Sequence, residues 1–567
     1  MGKPMTSRLC TEAASGGNVL PTRPEEAPTR AGLAALGAGL ATAACGGGAS
    51  APNTTGPSTP SSATITRARA ARFLHQAAFA ATDAQIVRVQ TLGYAAWLDE
   101  QFAAPITQGH WDWMAERGYQ DVANIDTFNG VDNTLWRKLI ASPDVLRQRM
   151  TLALSEIFVI SMLGIPVAWR GFITAAYVDL LEQRAFGTYR DLLEAVSLSA
   201  GMGVYLNMRG NQKADPASGR QPDENYAREV LQLFSLGLVE LNADGTLKGG
   251  RAQETYGPQT IAELARVFTG WDFDGFTRAD PAWTRRPMAH IATRYDTGAK
   301  TVLGTVIPAG TTGLPALRMA LDAIAGHPNV APFLARQLIQ RFVTSAPSSA
   351  YVGRVAAVFN NNGTGLRGDL KAVLKAILLD EEARSDPIAG ETTRGRLSEP
   401  VVRFIQWART FGVTSPTGLW NIGNLSDPGT RLGQSPLRSP SVFNFFRPGY
   451  VPPNSELGRL GLTVPEFQIT NESTTIAWLN FAQTFVASGV GETRPDYTVE
   501  MANADDPATL VQRLALLLAA DRLSTTVVQQ ITLAVATLTA TTETGRRNRV
   551  QAAVLLILAA PDYLVQA

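Results

Sequence analysis

Two cysteines among 567 residues, Cys10 and Cys45, exclude a disulfide scaffold. The four histidines, His75, His110, His290 and His327, are scattered, so a multi-histidine zinc or iron site would have to be assembled by folding alone. A net charge of +1 lacks the strongly basic footprint of a nucleic-acid-binding protein. Signatures with a built-in mechanism are also missing: no GxSxG elbow, P-loop, HExxH, paired CxxC or dinucleotide-binding glycine fingerprint. The acidic stretches around Asp244-Gly245 and Asp272–Gly275 lack the twelve-residue spacing of a calcium loop. Asp-Gly turn formation explains them better.

What is present is an ordinary globular composition, 45% hydrophobic and 17% charged, long enough to bury roughly three-quarters of its unfolded surface. At the N-terminus, Arg30 precedes fourteen small and apolar residues, AGLAALGAGLATAA, and then Cys45. That run is too short to span a bilayer but has the length of a signal-peptide core. Thr42, Ala43 and Ala44 directly before Cys45 resemble a bacterial lipobox, in which the cysteine is lipidated and becomes the mature N-terminus. Gly46 to Thr64 is uncharged Gly, Ser, Thr, Pro, Ala and Asn, a composition that buries nothing and serves as a tether. The expected organisation is a leader over 1–44, a flexible tether over 45–64 and a helical domain over 65–567, exported to the cell envelope as a periplasmic or outer-membrane lipoprotein.

Helical periodicity runs through most of that domain. Thr82-Asp83 is expected to cap a helix carrying Ile86, Val89, Leu92, Trp97 and Leu98, and Ser142-Pro143-Asp144 to open VLRQRMTLALSEIFVIS. Strand signals are few, the best being Lys300 to Ile307, which suits a small hairpin. The fold class read from this is mainly α: one large helical domain with long loop insertions and at most a small β hairpin.

PDENYAREVLQLFSLGLVELNADGT, Pro222 to Thr246, is the densest segment. At about 100° per residue, Asn225, Arg228, Glu229, Gln232 and Ser235 share one helix face, and Tyr226, Val230, Leu233 and Phe234 the other. Asp223 is expected to cap this helix and Gly237 to end it. Glu224 and Arg228, at i and i+4, make an ordinary surface pair. Buried beneath neighbouring loops, however, Glu224, Arg228 and Glu229, with Asp272, could provide acid–base chemistry, a carboxylate among them acting as general base or metal donor. These four are the candidate catalytic residues, and no metal ligand or cofactor is assigned. Three long loops, Asn207–Gln221, Gly270–Gly304 and Gly433–Leu457, flank the helix or carry aromatic residues, as functional loops often do. Asn225, Tyr226, Trp271, Lys300, Phe445 and Phe446 are the candidate binding residues.

NQKADPASGRQPDENYAREVLQLFSLGLVELNADGT resembles the hallmark segment of the bacterial family catalogued as domain of unknown function 1800. RFLHQAAFAATDAQIVRVQTLGYAAWLDEQF, ELARVFTGW, HPNVAPFLARQLIQRFV, LGQSPLRSPSVFNFFRPGY and AVLLILAAPDYLVQA follow the family in order, from about Arg69 to the end. The resemblance implies a mostly helical exported protein, often encoded beside a second exported family of sulfatase-like appearance; it implies no reaction. Relatives carry a His-rich stretch where this chain has Leu152 to Ser161, and a further histidine near Tyr295-Asp296, with only His290 nearby here. Those departures weaken a metal-enzyme reading. The leading expectation is a lipid-anchored binding module for another exported, sulfatase-like protein, reaching the membrane through its lipid alone and binding no nucleic acid. The alternative is a hydrolase-type or metal-assisted enzyme acting on an envelope or extracellular polymer.

Overall fold

Several helices start where the sequence supplies a side-chain acceptor. Thr82 accepts from Gln85 N–H, Thr188 from Asp191 N–H and Asp369 from Ala372 N–H, each at the head of a helix. Proline opens the helices Pro258–Val267, Pro400–Thr410 and Pro507–Ala519, where its missing N–H costs nothing. Asn471 and Thr474 form a reciprocal capping box on Glu472–Ser488. The computed structural model describes residues 65–386 and 394–566. The expected leader, Cys45 and the tether lie outside the described residues.

The result is mainly α, as expected: long helices joined by loops, with antiparallel two-stranded pairs as the only sheets among the described residues. Lys300–Val302 pairs with Thr305–Ile307 as the anticipated hairpin. Its two-residue turn, Leu303-Gly304, has positive φ at both positions (49° and 82°), the geometry that matches strand twist and favours glycine second. Two further pairs join residues distant in sequence and carried no local signal: Trp271–Asp272 with Ala289–His290, and Arg396–Leu397 with Val565–Gln566. The helix expected from Thr82 to Leu98 is two helices, Asp83–Leu92 and Tyr94–Ala103. Gly93, at φ 79°, turns the chain between them.

A contiguous apolar core runs through the described residues and includes the buried indoles of Trp97, Trp136, Trp169, Trp283 and Trp407. Within it Arg170–Arg184 packs against His110–Glu116, Val145–Ile157 and Tyr189–Leu198. No described helix is long and apolar enough to cross a membrane.

Candidate functional site

The helix of the hallmark segment spans Asn225–Gln232. Glu224, rather than Asp223, occupies its N-cap position, while Asp223 Oδ1 accepts from Asn225 N–H at 2.8 Å. The helix stops well before Gly237, because Leu236 and Gly237 N–H both turn back to the Leu231 carbonyl (2.9 and 3.0 Å). Gly237, at φ 74°, completes that turn, and an added Cβ there would strike the Phe333 ring at 2.7 Å. Tyr226, Val230 and Leu231 are buried, each stabilising the fold by roughly 1.5–3 kcal/mol through apolar burial.

The polar stripe divides. Glu224 and Arg228 pair at 3.1 Å, both nearly half exposed, which is the ordinary surface arrangement. Glu229 points inward and its Oε2 has no hydrogen-bond partner. Burial pushes its carboxyl up, with Arg228 pulling the other way; burial likewise lifts the phenols of Tyr205 and Tyr256 to about 12, with the Glu229 charge as the lesser cause.

Asp272 belongs to a different cluster. Its oxygens take Arg209 Nε at 2.8 Å and an Arg294 guanidinium nitrogen at 2.9 Å. Burial would raise this carboxyl, but the Phe273 N–H and the two guanidinium groups outweigh it and hold it below its ordinary value. Arg209 also lies over the Phe273 ring at 4.1 Å, and its backbone bridges Trp271, so this network fastens the Asn207–Gln221 loop to the Gly270–Gly304 loop. Asn211 clamps Asp223 with two hydrogen bonds of 2.8 and 3.0 Å, which sets the start of the Asn225 helix. The candidate catalytic residues therefore form an exposed pair, a buried lone carboxyl and a loop-fastening ion network, rather than one convergent group.

Most of the candidate binding residues are packed inside. Tyr226 donates or accepts at Ser197 Oγ (2.5 Å) and sets its ring against Phe268. Trp271 is 3% exposed and lies edge-on to His290, 5.2 Å between centroids. Lys300 is fully enclosed; Nζ donates to the Asp296 and Gly298 carbonyls at 2.5 and 2.8 Å, and burial lowers its ammonium against the pull of Asp296. Phe446 is buried, Phe445 half-buried and Asn225 half-buried.

Where relatives were expected to carry histidines, Ser155 bonds back to the Leu152 carbonyl and Glu156 enters a buried ionic knot. Arg341 lies 3.3 Å from Glu156, and Arg396 pairs with both Glu399 and Glu466. Burial and the neighbouring Glu399 push the Glu156 carboxyl well up against the pull of Arg341, while Arg396 overcomes burial to lower Glu399 to about 2.

The model for the family described as "Protein of unknown function (DUF1800)" matches residues 72–565, nearly the whole described body. The chain belongs to this family. No curated protein and no solved structure matches it. Two concavities on this DUF1800 chain fall outside the charged stripe.

The first is an open groove of 760 Å³ beyond the end of the Asn225 helix. Leu233, Leu238, Phe333, Phe443, Tyr450 and Val451 line it, with Glu156 and Gln337 among its few polar groups. The Gly433–Leu457 loop that forms one wall is tied down by Met162 N–H to the Leu437 carbonyl (2.9 Å), by Gln340 Nε2 to the Pro448 carbonyl (3.2 Å) and by Arg438 to Asp132 (2.6 Å). Leu238 stays 56% exposed and Val451 37%.

The second is a polar cavity of 840 Å³, walled by Asp112, Tyr177, Asp179, Glu182, Asp191 and Glu194 among others. Asp179 and Glu182 stand one turn apart on Arg170–Arg184, and His110 lies against them. Sequence reasoning missed all three. Asp179 and Glu182 have the i, i+3 spacing of any helical acid pair, and His110 lies 69 residues before Asp179.

Proposed function

We propose that this chain is an exported, lipid-anchored binding module that docks another exported protein of sulfatase-like character. What supports this reading is the 760 Å³ groove, whose apolar side chains Leu238 and Val451 remain open to solvent while the loop behind them is fastened at several points. A fixed apolar concavity of this size takes two or three large side chains of a protein segment and offers little to a charged polymer. The lipobox-like residues before Cys45 and the uncharged tether behind it fit a body held close to a membrane and free to reach a neighbour. The enzymatic alternative loses ground because Glu224, Arg228, Glu229 and Asp272 are dispersed among three environments.

The test is co-purification from the native envelope with Leu238→Glu and, as a surface control, Leu163→Glu, at a leucine 73% exposed and outside the groove. The expected result is that the sulfatase-like protein co-purifies with the wild type and the control, and at least tenfold less with Leu238→Glu. Equal recovery with both variants, or no such companion with the wild type, overturns the reading.

A further inference from the structure

His110, Asp179 and Glu182 each bring one donor atom, and these atoms all lie within 4.8 Å of one another. That separation matches donors on opposite sides of an ion bound at about 2.2–2.4 Å, so small side-chain movements bring all three into one coordination sphere. Two of the donors are left over by the rest of the fold. His110 is 2% exposed and its Nε2 has no partner; Glu182 is 1% exposed and its Oε2 has none. Orphaned buried polar atoms cost about 1–3 kcal/mol each, and a shared occupant would relieve both.

Each donor is also held from behind. His110 Nδ1 lies 3.2 Å from Thr134 Oγ1, a contact that anchors the ring; with the proton on Nδ1, the lone pair is on Nε2. Asp179 accepts the N–H groups of His110 and Trp111 at 2.6 and 2.9 Å, leaving lone pairs on both oxygens. Glu182 Oε1 takes Lys138 Nζ and Gln148 Nε2, both at 2.5 Å, which fixes the carboxylate and leaves Oε2 free. Gly109 permits the close approach: a Cβ there would sit 2.9 Å from Asp179 Oδ1. Asp179 and Glu182 line the adjoining cavity, which has room for water on the ion's remaining positions.

We propose that His110 Nε2, Asp179 and Glu182 Oε2 bind one divalent first-row transition ion of the Zn²⁺ or Mn²⁺ class at the wall of the polar cavity. One imidazole nitrogen with two carboxylates selects such an ion over Ca²⁺, which takes oxygen ligands alone. With Lys138 counted, two carboxylates and one ammonium leave the site at a net charge of −1. The site is independent of the apolar groove and of the docking reading.

The experiment is equilibrium dialysis of the metal-stripped folded body against Zn²⁺ and, separately, Mn²⁺, with metal counted per chain. A parallel titration with Co²⁺ reports nitrogen ligation by its visible absorption. One ion per chain is expected, with affinity falling at least tenfold in His110→Gln and in Glu182→Gln and unchanged in the variant Glu543→Gln, at a surface glutamate 80% exposed. Thr134→Val removes only the support behind His110 and is expected to weaken binding several-fold and shift the Co²⁺ spectrum in a chain that folds normally. It carries the test should either ligand variant fail to fold. Absence of stoichiometric uptake by the wild type, or uptake unmoved by Thr134→Val and by whichever ligand variants fold, overturns the proposal.

Discussion

Two glutamate–cation pairs in this molecule use the same chemistry to opposite effect. Glu224 and Arg228 meet at 3.1 Å on one helix face with both side chains nearly half exposed. Glu182 and Lys138 meet at 2.5 Å with each side chain 1% exposed, and they come from different helices 44 residues apart. Water does most of the solvating for the first pair, so its members are nearly independent. The second pair has exchanged water at Lys138 Nζ and Glu182 Oε1 for Gln148, the Thr107 carbonyl and each other, so neither partner can be removed without stranding the other.

The largest effect expected from this contrast is at the buried pair. Lys138→Met leaves the Glu182 charge without its cation and should cost about 3–5 kcal/mol of stability, read as a drop in urea midpoint at unchanged slope. A loss under 1 kcal/mol would mean that water reaches the pair, and the contrast would fail.

A buried group that cannot recruit a partner charge gives the next effect. His75, 8% exposed, donates from Nε2 to the Leu517 carbonyl at 2.8 Å, and burial lowers its pKa to about 4. Because the unfolded chain binds this proton more readily, the stabilisation is complete above pH 6.5 and is lost as pH falls from there toward 4. The loss is on the order of 3 kcal/mol. His75→Gln, which keeps a donor, should flatten the fall in urea midpoint between pH 7 and 5. His110, His290 and His327, also lowered by burial, preserve a smaller slope of the same sign.

At the exposed end, Arg228→Met should change stability by no more than about 0.5 kcal/mol, and its small effect should vanish in high salt. A larger loss in the same denaturation series would show that Arg228 supports the buried carboxyl of Glu229 rather than Glu224 alone.

Much of the fold was legible because helices announce themselves locally. The cap at Thr82, the start after Ser142-Pro143-Asp144 and the Lys300–Ile307 hairpin all depend on neighbours a few residues away. The break at Gly93 was missed because the apolar period continues through it into Trp97 and Leu98. The site was less legible. The Pro222–Thr246 stripe correctly marks a helix with a buried polar member, Glu229, yet helical spacing could not say that Asp272 would be claimed by Arg209 and Arg294. Trp271 and Lys300 stood out as loop residues of binding type, but long-range packing made them interior. The two concavities arise from segments far apart in the chain, and no periodicity encodes such meetings.

Asp179 fastens the first two peptide groups of a seven-residue helix that is too short to persist unaided in water. Isotope exchange at those two amides therefore works as a gauge of one carboxylate. Whatever neutralises or draws away Asp179 quickens the exchange, and whatever locks it slows the exchange, so a readout at His110 and Trp111 registers events inside the cavity without any probe entering it.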